Sequence, residues 1–80
     1  MTHKLKCWPE SFQALFTGAK TFELRWNDRN FKVDDTLQIR EYDPESDTFT
    51  GRSTKRVITY ILPLNTMLAG TIKWVILSIR

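Results

Sequence analysis

The sequence predicts a small, mostly β domain of the α+β class, with five strands and one short helix forming a small barrel or a strongly curved sheet. Three features carry that expectation. Apolar and polar residues alternate with a period of two in segments spread along the whole chain, turn formers punctuate them regularly, and only one segment has the i, i+3, i+4 spacing of a helix. A chain of 80 residues buries only about 60% of the surface its unfolded form exposes, so residues 1–80 are expected to be one domain on one modest core. Closing the sheet would hide edges that it could not otherwise protect.

His3 to Cys7 sets Leu5 and Cys7 against Lys4 and Lys6 and reads as a first strand, with His3 solvated. Pro9 suits a first helical turn, Phe12, Leu15 and Phe16 form a narrow apolar face, and Gly18 is placed to end the helix with a left-handed cap. Alternation returns from Thr21 to Trp26, where Phe22, Leu24 and Trp26 are assigned to the core and Thr21, Glu23 and Arg25 to a polar face. Turn formers at Asn27–Asn30 and Lys32–Asp35 precede a strand from Thr36 to Glu41, with Leu37 and Ile39 inward. Asp43–Asp47 reads as a hairpin turn, Arg52 to Leu62 as a long strand, Pro63 to Gly70 as a loop and Trp74 to Ile79 as the last strand. The expected core is Phe12, Phe16, Phe22, Leu24, Leu37, Ile39, Val57 and Val75, with Trp74 beside it.

Composition narrows the class of function. Ordinary hydrophobic and charged contents argue against a disordered tail and a membrane protein, and no apolar run approaches the roughly 20 residues of a bilayer span. The N-terminus lacks the apolar stretch of a signal peptide, so a cytoplasmic monomer is expected. With Cys7 and His3 the sole residues of their types, no disulfide, zinc set, metal or cofactor is expected. Glu41, Asp43, Glu45 and Asp47 form one acidic segment, which leaves five acids against twelve basic residues elsewhere. Such a body favours a polyanionic partner or is simply a solvated surface, and charge alone does not separate the two.

The stretch from Lys20 to Arg29 is the densest set of ionisable groups among apolar residues. Glu23 and Arg25 share a strand face, so a carboxylate acceptor and a guanidinium fork could read the edge of a polar ligand. Lys20 and Arg29 at the two ends could neutralise phosphate. The plainer reading is an ion pair on a wet face. Trp8 and Tyr42, at element ends, are candidate platforms for stacking on a base. Nucleophiles are scarce: Cys7 reads as a small buried hydrophobe, and Lys20 and Thr21 point to opposite faces of a strand.

The ordered set Leu5-x-Cys7-Trp8-Pro9-x-x-Phe12, Gly18-x-Lys20-Thr21-x-Glu23-x-Arg25, Asn27-Asp28-Arg29-x-Phe31-x-Val33 and Arg40-Glu41-Tyr42-Asp43-Pro44 resembles the ASCH domain family. More narrowly, it looks like a short stand-alone subfamily of unknown function. The resemblance implies a PUA-like β-barrel of five to six strands with one or two short helices. It also implies a cleft between the first helix and the barrel, lined by Lys20, Glu23 and Arg25, with Asp28 and Arg29 adjoining.

ASCH relatives are thought to bind RNA or nucleotides. One small bacterial relative hydrolyses an acylated cytidine with a lysine, a threonine three positions later and a late glutamate. Here Glu23 stands where that threonine would be, and no acid follows Asp47. Asp34 also stands where the subfamily commonly has glycine. The expected function is therefore an RNA or nucleotide binding module using Trp8, Lys20, Glu23, Arg25, Asp28, Arg29 and Tyr42. The alternative is a small amidohydrolase of a modified nucleoside with Lys20 and Glu23 as catalytic groups. A third reading is a protein-interaction domain of phage or mobile-element origin that uses the acidic turn.

Overall fold

The computed structural model describes residues 1–64 and 73–80. Strand β1 (Thr2–Cys7) leads into helix α1 (Pro9–Thr17), followed by β2 (Phe22–Trp26), β3 (Thr36–Asp43), β4 (Thr48–Pro63) and β5 (Trp74–Ile79). These five strands form one sheet in the order β1-β3-β4-β5-β2, so the mostly β, α+β class is observed. The loop expected between Pro63 and Gly70 lies outside the described residues from position 65 onward.

Helix α1 begins and ends as its residues dictate. Trp8 is the extended N-cap, its carbonyl accepts from the Phe12 N–H at 2.8 Å, and Pro9 occupies a first-turn position whose missing N–H costs nothing. Gly18 closes the helix at φ 85°, a left-handed conformation that needs no Cβ, and its N–H donates to the Leu15 carbonyl at 3.2 Å.

Strand β4 is long because it serves two partners. Its first part pairs antiparallel with β3, from Asp43↔Thr48 to Thr36↔Val57, and its last part pairs with β5, from Ile58↔Ile79 to Pro63↔Val75. A register shift between Ile58 and Tyr60 marks where it bends from one to the other. Strand β1 adds to β3 in parallel, and β2 pairs antiparallel with β5.

The pairing leaves the sheet open rather than closed into a barrel, since β1 and β2 are the two ends of the strand order. Side chains bridge them instead of a backbone ladder. Arg25 Nη2 donates to the Lys6 carbonyl at 3.0 Å, and Arg29 Nη1 donates to the Lys4 carbonyl.

The core joins Leu5, Cys7, Phe12, Leu15, Phe31, Leu37, Ile39, Ile58, Val75, Leu77 and Ile79. Phe12, Leu37, Ile39 and Val75 are there as expected. Phe16, Phe22, Leu24, Trp26 and Trp74 are not, and the last four show that the apolar side chains of β2 face outward and are joined there by Trp74 at the start of β5. Glu23 is only 3% exposed, whereas Phe22 and Leu24 are 50% and 51% exposed, so β2 presents its faces in the reverse of the expected sense. Val57 is half-buried and its neighbour Ile58 takes the core position instead.

His3 is not solvated either. Its Nε2 lies 2.8 Å from Asp35 Oδ2, the ring meets Phe31 edge-on at 4.8 Å, and both residues are buried. Asp35 also accepts from the Lys32 backbone N–H at 3.1 Å and from the N-terminal ammonium at 3.3 Å. Preceding it, Asp34 adopts φ 76°, in the left-handed region that favours glycine.

Two expectations follow for stability. Leu77→Ala should cost about 2–5 kcal/mol in urea unfolding because Leu77 is fully buried. Leu24→Ala should stay within about 0.5 kcal/mol, because surface truncations rarely matter more; equal losses would contradict the assignment of faces. The hydrogen bond from His3 is the main cause that holds the Asp35 carboxyl below its ordinary value, with the Lys32 N–H and N-terminus adding to it. That depressed folded-state pKa means the contribution is complete above pH of about 4 and lost as pH falls through the folded value. Acid titration of unfolding should therefore be shallower below that pH in Asp35→Asn than in the parent.

Candidate functional site

The reversed strand places its charges together. Glu23 Oε1 accepts from Lys20 Nζ at 2.9 Å, while Glu23 Oε2 accepts from Arg25 Nε at 2.9 Å and Nη2 at 2.8 Å. Lys20 reaches this point because it lies two residues after the Gly18 cap, and its own N–H donates to the Ala14 carbonyl at 3.0 Å. Its Nζ donates a second bond to Ser11 Oγ at 2.7 Å, from the first turn of α1. Lys20, Glu23 and Arg25 thus converge as the sequence leads one to expect. Glu23, however, is enclosed, with both oxygens engaged, so its part is to hold two cations in place.

Cys7 packs beside this cluster. Burial is the largest influence on its thiol and raises the pKa, outweighing a lowering hydrogen bond from Ser11; Glu23 pushes it further up, and Lys20 and Arg25 oppose. The thiol stays protonated, which suits the small hydrophobe the sequence suggests and not a nucleophile.

A cleft of about 360 Å³ opens next to Arg25, between β1 and the β2–β5 pair. Arg25, Asp28 and Arg29 supply its polar wall, and Leu24, Trp26 and Trp74 its apolar wall over Leu5 and Phe31. Trp26 and Trp74 meet edge-to-face at 5.5 Å and keep ring surface in solvent. Arg25 spends Nε and Nη2 within the protein and leaves Nη1 without a protein partner among the described residues. Arg29 likewise commits Nη1 to β1 and has Asp28 at 3.8 Å from Nε. Asn27 Oδ1 accepts from the Phe31 N–H at 3.1 Å and fixes the loop that carries both residues.

The structure therefore divides the candidate residues. Arg25, Asp28 and Arg29 line the cleft, and Lys20 and Glu23 stand behind it as its support. Trp8 is 64% exposed at the helix N-cap, outside the cleft, and Tyr42 packs under Lys6 on the far side of β1. Sequence reasoning missed Ser11, which no motif marks. It also missed Leu24, Trp26 and Trp74, since alternation separates two faces without saying which is inside. Another buried carboxylate, Glu41, is structural: Thr50 Oγ1 donates to it at 2.6 Å and Arg52 Nη1 lies at 3.8 Å. Among the described residues no group of three acidic, histidine or cysteine side chains is arranged to hold a metal. No helix there is long and apolar enough to cross a membrane.

Fold and site together define a small curled-sheet domain with a basic, aromatic cleft at its seam. The chain belongs to the family described as Domain of unknown function (DUF3850), whose model matches residues 2–79. No curated protein matches it.

Removing the carboxylate at the centre of this site leaves two cations facing each other. Glu23→Ala should destabilise the domain by roughly 3 kcal/mol, the lower end of what breaking a buried pair costs, because both cations keep part of their surface in water. Thermal or denaturant unfolding measures it; a loss under about 1 kcal/mol would mean that the three groups are merely a solvated surface pair.

Proposed function

We propose that this chain is a binding module that receives a base or nucleotide of RNA in the 360 Å³ cleft. The observation that carries this reading is the pairing, in one concavity, of exposed tryptophan surface with two arginines that each keep a terminal guanidinium nitrogen without a protein partner among the described residues. Trp26 and Trp74 offer a π-face, and stacking of a base on an aromatic ring is worth about 1–3 kcal/mol. The free donors of Arg25 suit a base carbonyl or a phosphate, and the Asp28 carboxylate suits an exocyclic amino group. The resemblance to ASCH domains points the same way.

One contact favours a second reading, a small hydrolase of an acylated or otherwise modified nucleoside. Ser11 Oγ sits 2.7 Å from Lys20 Nζ, the arrangement of a hydroxyl nucleophile and its base. Against it, Lys20 Nζ is already held by Glu23 Oε1 at 2.9 Å, so the amine is committed to an ion pair rather than left to serve the hydroxyl.

Tryptophan fluorescence separates the two readings. Titration with nucleoside monophosphates and short single-stranded RNA at low salt should quench emission, and Trp26→Ala together with Arg29→Ala should weaken binding at least tenfold. Absence of binding to all of these overturns the module. Release of cytidine from an acylated cytidine, abolished in Ser11→Ala and Lys20→Ala, would establish the hydrolase; no turnover is expected.

A further inference from the structure

Beside the first cleft lies a second, of about 190 Å³, which shares Leu5 and Arg29 with it and is otherwise lined by Lys4, Lys6, Arg40 and Phe49. Alternation puts Lys4 and Lys6 on the outer face of β1, because His3, Leu5 and Cys7 are buried on the inner one. The register sets Lys6 directly beside Arg40, and Lys4 beside Gln38, whose other neighbour is Lys55. Like charges opposite one another on a sheet face are destabilising. None of Lys4, Lys6 and Arg40 makes an ion pair among the described residues.

Aromatic rings hold two of these cations, Lys6 and Arg40, in place instead. Lys6 Nζ lies 4.5 Å from the Tyr42 ring centre and Arg40 Cζ 3.7 Å from that of Phe49, while the two rings meet edge-on at 5.3 Å. A cation over a ring keeps its full charge available to a ligand. Beyond the Tyr42↔Phe49 pair the strands reach Asp43 and the hairpin that carries Glu45 and Asp47, so the positive field ends there. In the other direction it continues through Arg29 into the first cleft.

The geometry points to a phosphate subsite formed by Lys4, Lys6, Arg29 and Arg40, which holds the backbone of a single-stranded nucleic acid next to the nucleotide seated between Arg25 and the tryptophans. This rests on the reading of the first cleft given above and makes its ligand an oligonucleotide, not a free nucleoside. Arg29, common to both clefts, is the point where base recognition passes into backbone contact.

The test compares the parent with Lys6→Gln/Arg40→Gln, whose altered side chains line only the second cleft; the Lys6 carbonyl that anchors Arg25 is unchanged. Binding of a fluorescent eight-nucleotide single-stranded RNA and of nucleoside monophosphates is followed across salt concentrations, with thermal melting to verify folding. The variant should lose tenfold or more in oligonucleotide affinity at low salt, its log-log salt slope should fall by about 1.4, and mononucleotide affinity should be unchanged. Lys6→Arg/Arg40→Lys should retain the parental slope. If the double glutamine variant binds the oligonucleotide with parental affinity and slope, the phosphate subsite is wrong and the first cleft stands. If the parent binds neither probe, the nucleotide reading itself fails. Binding of duplex DNA or heparin by the parent as tightly as the single strand would also overturn the proposal, in favour of an unselective basic face.

Discussion

Glu23 is the group on which the architecture turns. A carboxylate can enter the interior of so small a domain only if its charge is met and its lone pairs are used, and Lys20 and Arg25 do both. Once it is inside, the two-residue period of β2 forces Phe22, Leu24 and Trp26 outward. Arg25 then extends past Glu23 to the Lys6 carbonyl and ties β2 to β1 across the gap in the sheet. One buried charge thus decides which way a strand faces, where the sheet's ends meet and why an aromatic wall stands beside the opening.

The same device recurs around the apolar centre. Asp35 is met by His3 and the N-terminus, and Glu41 by Thr50 and Arg52, whose guanidinium also lies over the Phe12 and Phe16 rings at 5.1 and 4.9 Å. No buried side-chain polar atom among the described residues lacks a partner. Asp35 joins segments 32 positions apart and Glu41 ties β3 to the facing β4, so these contacts select one arrangement of the elements, whatever their net energy.

Much of this was legible in the residues, and the misses have a common origin. Pro9, the Phe12 and Leu15 spacing and Gly18 define α1 locally, and the alternation of β1 and β3 yields Leu5, Leu37 and Ile39 as core without any knowledge of partners. What could not be seen depends on contacts made at a distance. His3 meets Asp35 thirty-two positions away, and Ser11 meets Lys20 across the end of a helix. In β2 the pattern was right and its sense was reversed, because the rule that apolar residues point inward yields when neighbouring cations neutralise an acid. The convergence of Lys20, Glu23 and Arg25 was readable; that Glu23 would support the cleft and not line it was not.

The arginines at the seam have an effect on how molecules of this protein behave towards each other. A strand with one unpaired side is a template for a neighbouring chain, and β1 has such a side. Lys4 and Lys6 direct their carbonyls to that side, and Arg29 and Arg25 occupy both with charged planar groups that no incoming strand can extend. Among the described residues, the β1 edge is thereby guarded against intermolecular sheet growth by charged groups rather than by a covering helix or a proline. Colloidal behaviour is consequently tied to the residues that face the cleft, so a change at Arg25 or Arg29 alters the protein's tendency to aggregate together with whatever it does to recognition.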